Sequence, residues 1–278
     1  RASNRSSKVV QAFINAGANV NVVAQNKTAL HLALENHMSD DVVQALIQAG
    51  AHINCENEHG PTLLHWAIMR RKPETLQALL QARMGDSINS TNRQNKTALH
   101  LALEKHMSAD VVQALIQAGA HINCEKEHGT TLLHYAVVKS DVEITKILLN
   151  NSSTAKINKA DTNGNTPLHL AIKYGTDENV KAILETGAIG SINVRNYHGN
   201  TPLHLALLYR RNIGIINALL EKGAAASIDT QNNKFETPLD IAEENRDIYK
   251  IRFLLEFSDK MPEQFLAIYT SLKKRSRL

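Results

Sequence analysis

The sequence predicts an all-α solenoid of stacked helix pairs, and three observations carry that reading. One short phrase recurs seven times, beginning at Thr28, Thr62, Thr97, Thr131, Thr166, Thr201 and Thr237, at spacings of 34, 35, 34, 35, 35 and 36 residues. A period between about 20 and 50 residues marks a stacked repeat architecture, in which each unit buries its apolar face against its neighbours. Apolar residues inside each unit follow helical spacing. A glycine closes the second helical stretch of five units, at Gly17, Gly50, Gly119, Gly187 and Gly223.

The elements of one unit follow in order. The hydroxyl of Thr28 can accept from an unpaired backbone N–H at a helix start. In three units the next residue is proline (Pro167, Pro202, Pro238), which suits the first helical position. Leu30, Ala33 and Leu34 fall at i, i+3 and i+4, one face of a short helix. A second helix carries Val42, Val43, Leu46 and Ile47 on one side and stops at Gly50, where a left-handed C-cap needs no Cβ. A short extended piece, Ala51 to Asn54, leads into a polar turn. Asn closes that piece in six units (Asn21, Asn54, Asn89, Asn123, Asn158, Asn193), and Asp229 takes the seventh place.

Helix, turn, helix and hairpin loop, with the openings Thr166-Pro167-Leu168-His169 and Thr201-Pro202-Leu203-His204, resemble the ankyrin repeat over residues 8–258. Residues 1–21 read as a partial N-terminal repeat. Full repeats are expected at 22–54, 55–89, 90–123, 124–158, 159–193, 194–229 and 230–258. Residues 259–278 read as a capping helix and basic tail, with Phe265, Leu266, Ile268, Tyr269 and Leu272 at helical spacing. The family usually places Gly two residues before the Thr, as at Gly60, Gly129, Gly164 and Gly199. Asn26, Asn95 and Phe235 depart from this. The last unit also has Asp240 where the others have His, so it reads as a degenerate end cap. The loop at 150–157 is the longest and is expected to be the most mobile. One unbroken core is expected, with no internal boundary.

Residues 26–68 match 95–137 with six differences in 43 positions. A two-repeat block has been copied, which a stack tolerates because each repeat contacts only its neighbours.

Composition narrows the function. Of 31 Lys and Arg, Lys273, Lys274, Arg275 and Arg277 lie in the tail, so the rest of the chain balances the 27 Asp and Glu. A nucleic-acid-binding body would need a basic face; the tail alone leaves a nuclear address open. No apolar run approaches the ~18 residues of a membrane helix. The start, Arg1-Ala2-Ser3-Asn4, has no signal region, and residues 8–17 read as a second helix without its first, as in a fragment of a longer chain. Cys55 and Cys124 sit two repeats apart, roughly 20 Å at ~10 Å per helix layer, whereas a disulfide needs Cα atoms within about 7 Å. Unpaired thiols indicate a reducing, cytoplasmic setting.

The 13 His residues invite a metal or catalytic reading. His31, His65, His100, His134, His169 and His204 are the fourth letters of the helix starts, too far apart to share one ion with ligands ~2 Å away. The resemblance implies that each bonds its own Thr and the neighbouring loop. Cys55 with His59, and Cys124 with His128, give two zinc ligands each where four are needed. No metal, cofactor or catalytic residue is expected, and the chain reads as non-enzymatic.

The resemblance implies a cupped stack that binds a partner protein, as a monomer, with free positions on the hairpins and at the ends of the first helices. In the fifth and sixth units these positions hold Lys173, Tyr174, Tyr197, His198, Leu208 and Tyr209, followed by Arg210 and Arg211. Tyr and Arg are enriched at interface hot spots. Alternatively, Tyr174 and Tyr209 end their helices and lie flat on the next repeat. Arg70, within the group Met69 to Lys72, and Lys139 extend the candidate surface, or else belong to solvated turns. Trp66 and its copy Tyr135 read as packing between repeats. Two further readings stand beside this one. The chain could be the targeting part of a larger enzyme or of a bacterial effector acting in a host cytosol, or a substrate hydroxylated at Asn54 and Asn123.

Overall fold

The computed structural model describes residues 2–25, 27–36, 38–53, 62–82, 85–122, 129–152, 154–186 and 188–256. Cys55, Cys124, His59, His128, Asn54, Asn123 and the expected C-terminal helix and tail lie outside the described residues. Periodicity gives no reason for a break, yet the chain groups into two compact units, Arg1–Lys126 and Glu127–Leu278.

The first unit holds α1 (Ala2–Asn15), α2 (Ala29–Glu35), α3 (Asp40–Gln48), α4 (Leu63–Met69), α5 (Pro73–Gln81), α6 (Ala98–Glu104) and α7 (Ala109–Gln117). The first helices α2, α4 and α6 pack side by side in one layer, and α1, α3, α5 and α7 in a second. The second unit holds α8 (Leu132–Val138), α9 (Val142–Asn150), α10 (Thr154–Ile157), α11 (Pro167–Tyr174), α12 (Asp177–Glu185), α13 (Pro202–Leu208), α14 (Ile213–Glu221), α15 (Pro238–Glu244) and α16 (Ile248–Glu256). Here α8, α11, α13 and α15 form one layer, and α9, α12 and α14 the other. Among the described residues there is no strand; Ala24 and Lys27 form an isolated bridge.

The expected faces are the buried ones, except that Ile47 of α3 is only half-buried. Leu30, Ala33 and Leu34 recur as Leu64, Ala67, Ile68, as Leu99, Ala102, Leu103, and as Leu168, Ala171, Ile172, all buried. The alanine in each triplet lets neighbouring first helices approach closely. Val42, Val43 and Leu46 fill the second layer of α3, and Ile215, Ile216 and Leu219 that of α14. Helix-closing Gly17, Gly50, Gly119 and Gly223 all have positive φ.

Three local features differ from the sequence reading. The loop at 150–157 contains the helical turn α10, whose Ile157 is buried. After Gly187 and Gly223 the extended piece is instead a 3-10 turn, Ala188–Ser191 and Ala224–Ser227. These two links carry two more residues between glycine and Asn193 or Asp229 than Gly50 to Asn54 does, and the tighter turn absorbs them. The turn between the two helices of a repeat uses a left-handed residue at Arg71, His106, Ser140, Arg210 and Arg246, although none is glycine.

Candidate functional site

The first helices start on a shared capping box of Thr and the residue three places on, except α4, where only the Thr62 hydroxyl meets His65 Nδ1, at 2.8 Å. At Thr166, the backbone N–H donates to Nδ1 of His169 at 3.2 Å, and the threonine hydroxyl lies 2.8 Å from the same nitrogen. His169 Nε2 then meets the Asn200 carbonyl of the next hairpin at 3.2 Å. Nδ1 therefore accepts and Nε2–H donates, which is the neutral imidazole. His65 reaches Lys96 O at 2.9 Å, His134 reaches Asn165 O at 3.0 Å, and His204 reaches Glu236 O at 3.2 Å. Burial, against the opposing pull of those carbonyls, lowers the pKa of His65, His134 and His204, and takes that of His169 to about 4. In the last repeat, Asp240 Oδ2 accepts from both the N–H and the hydroxyl of Thr237 at 2.7 Å. Aspartate thus does the work of Nδ1 and lacks only the donor toward a following loop. Among the described residues no hairpin follows it.

The hairpins are built on a second device that the sequence reading passed over. Five residues before the Thr, Asp161, Asn196 and Asn232 fold their side-chain oxygens back onto the turn. Asp161 Oδ1 accepts from the N–H groups of Asn163 and Asn165 at 2.8 Å each. Asn196 does the same for His198 and Asn200, and Asn232 for Lys234 and Glu236. Such side-chain turns fix loop shape without sheet pairing. The amide groups also link hairpin to hairpin: Asn196 Nδ2 donates to Asn165 Oδ1 at 2.9 Å, and Asn232 Nδ2 to Asn200 Oδ1 at 3.0 Å. The Asn residues that close the earlier link have another task. Asn21, Asn89 and Asn193 donate to the carbonyls of Gly50, Gly119 and Gly223 at 3.0 Å each, pinning the next repeat's helix end.

In the second unit these hairpins form the wall of a groove of about 590 Å³. Its floor is the exposed edge of the first helices: Val138 of α8, Leu170, Lys173 and Tyr174 of α11, and Leu205, Leu208 and Tyr209 at α13. Tyr174 is 51% exposed, Leu208 45% and Tyr209 41%; Val138 and Lys173 are exposed beside them, and Leu170 and Leu205 are buried beneath. The rings therefore stand open rather than flattened against the next repeat. Lys173 Nζ lies 4.8 Å from the Tyr174 ring centroid and 5.8 Å from that of Tyr209. Its interaction with the Tyr174 side chain raises the ammonium pKa above the ordinary lysine range.

The other candidates are placed as follows. His198 lines the groove wall. Tyr197, 73% exposed, lies at the fingertip outside it, its ring over Gly164. Arg210 is exposed and donates to Asn245 Oδ1 at 3.1 Å. Arg211 departs from the sequence reading, because its guanidinium is turned inward. It donates to the carbonyls of Ile172 and Ala171 at 2.9 Å each and to that of Gly175, and it pairs with Asp177 at 3.5 Å. It closes the C-terminal end of α11 instead of presenting charge. Lys139 stacks 5.6 Å from Tyr135, beside the groove. Arg70, in the first unit, lies 5.6 Å from the Trp66 ring, and Arg71 donates to Lys105 O at 2.7 Å. Among the described residues there is no cluster of His, Cys, Asp and Glu able to hold a metal, and no helix long and apolar enough to cross a membrane.

Comparison with known proteins agrees with the repeat geometry. A family model described as ankyrin repeats (3 copies) matches residues 36–126, 64–161, 107–195 and 153–232. The chain is 30% identical over 106 residues to the nuclear factor NF-kappa-B p105 subunit of Gallus gallus, covering 37% of this chain and 11% of that protein. It is 38% identical over 71 residues to the neurogenic locus Notch protein of Drosophila melanogaster, covering 25% and 3%. With NF-kappa-B inhibitor epsilon of Homo sapiens it shares 31% over 93 residues, 34% of this chain and 18% of that protein. The match thus spans under a fifth of each relative's length.

Proposed function

The chain belongs to the ankyrin-repeat family, and from that premise we propose that it is a non-enzymatic module that binds a partner protein in the groove of the second unit. Ankyrin repeats are in general protein–protein interaction modules, and one relative is by its name an inhibitor of NF-kappa-B. The observation that carries the proposal is the open Tyr174–Leu208–Tyr209 edge along the groove floor, above the buried Leu170 and Leu205. Half-exposed aromatic residues on a rigid floor are the makings of a hot spot: large contact area, few rotamers to freeze, and a polar rim. The capping and hairpin hydrogen bonds hold wall and floor in place before any partner arrives, so little ordering cost falls on binding. Arg211, committed to α11, lies outside this surface.

Affinity capture from cell lysate tests the proposal. The parent chain is compared with a Tyr174→Ala, Tyr209→Ala, Arg210→Glu variant of unchanged helical content. A protein held by the parent and lost from the variant is the expected result. Equal capture by both would move recognition away from this groove.

A further inference from the structure

The turn from α11 to α12 departs from the form the other turns share. Nine residues after their Thr, Arg71, His106, Ser140, Arg210 and Arg246 are left-handed. There Arg71 donates its N–H to Ile68 O and His106 to Leu103 O, at 3.1 Å each. One place on, Lys72 donates to Ala67 O at 3.0 Å and Met107 to Ala102 O at 2.9 Å. Such bonds satisfy carbonyls that a helix end leaves without an intrahelical partner. Gly175 holds the same place after Thr166 but is extended, at φ −78° and ψ 177°. Its N–H continues the helix, donating to Ala171 O at 2.9 Å, and the Thr176 N–H goes to the Asn179 side chain at 3.1 Å. So α11 runs eight residues where α4, α6, α8, α13 and α15 run seven, and Tyr174 is the added one.

Arg211 of the next repeat supplies the donors this turn withholds. Its Nε meets Ile172 O and its Nη2 meets Ala171 O, at 2.9 Å each, and Nη2 also reaches Gly175 O. Asp177, just past the turn, pairs with Nη1 at 3.5 Å. A planar guanidinium fork serves this set of oxygens together, which a lysine ammonium does not. Gly175 reaches the left-handed region freely, so without the fork nothing keeps the turn from the form of the others. Resting on the reading of this groove as the partner-binding surface, we infer that Arg211 is a positioning residue for it: the fork holds α11 one residue longer and thereby sets the Tyr174 ring beside Lys173, with Tyr209 of Arg211's own repeat on the other side. In its absence α11 ends at Lys173, and Tyr174 leaves the edge.

Nuclear magnetic resonance of the full chain tests this without a partner. An aromatic ring moves the resonances of protons over its face upfield, so the Lys173 ε-methylene reports the Tyr174 ring, and Tyr174→Leu gives its position with that ring removed. In Arg211→Gln, and equally in Arg211→Lys, the resonance is expected to shift to the Tyr174→Leu position. Arg211→Lys keeps the charge beside Asp177 and carries the test should Arg211→Gln fail to fold. A parent-like resonance in both variants, whatever the fall in urea midpoint, would overturn the assignment and leave Arg211 as a closure of α11 alone. A parent-like resonance in Arg211→Lys only would overturn the role of the fork, since charge would then suffice. Retention of the protein captured by the parent should fall in Arg211→Gln, and no further when Tyr174→Ala is added, as for two residues acting through one contact. A shifted resonance with unchanged retention would instead remove the groove reading, leaving the turn geometry standing.

Discussion

Mild acid should unfold this protein through the histidines that open its helices. His169 accepts the Thr166 N–H on Nδ1 and donates from Nε2 to Asn200 O. A second proton would have to sit on Nδ1, facing a donor, in a buried site. Its pKa is about 4 in the folded chain against 6.5 for the free side chain. Because the folded value is the lower one, the unfolded chain binds the proton first, and stability falls as pH drops from about 6.5 toward 4. For that pair of values the loss from His169 alone is about 2 kcal/mol between pH 7.5 and pH 5, and about 3 kcal/mol once both states are protonated. His65, His134 and His204 are shifted the same way, so the parent loses more in total. The assay is urea unfolding at both pH values for the parent and for His169→Gln. Glutamine can still close a capping box but does not titrate. The parent should lose about 2 kcal/mol more than the variant over this interval. Equal losses would refute the assignment of a buried neutral imidazole.

Other expectations follow from the packing. Gly199 has φ +75°, and an added Cβ would lie 2.5 Å from Asn233 Oδ1 and 2.7 Å from its N, so Gly199→Ala should cost about 2–4 kcal/mol in urea unfolding. Phe235 holds φ +64° while 78% exposed; Phe235→Gly should raise stability by about 0.5–1 kcal/mol, net of added chain entropy. Leu99 is fully buried in α6, and Leu99→Ala should lower stability by about 2–5 kcal/mol; an unchanged midpoint would contradict its place in the core.

The repeat period, the buried helix faces and the glycine caps were legible in the sequence because each is a one-residue requirement repeated in register. The His ladder was legible through the family resemblance. The Asx turns were not, since Asp161, Asn196 and Asn232 are of two residue types and stand among many other Asn. Arg211 was misread because its sequence neighbours, Tyr209 and Arg210, are exposed. Only the fold brings it under α11, against carbonyls some 36–40 positions away. Phe235 read as a mark of degeneracy. The structure adds the reason it is tolerated: Gly164 and Gly199 lie against a following hairpin, and among the described residues no hairpin follows Phe235.

Hydrogen exchange of the chain, with and without its captured partner, tests whether the groove of the second unit is the binding surface. Added protection is expected in the hairpins around Asn163, His198 and Lys234 and at the ends of α11 and α13, with little change in α5 and α7. Protection confined to α5 and α7, with the groove exchanging as in the free chain, would contradict it.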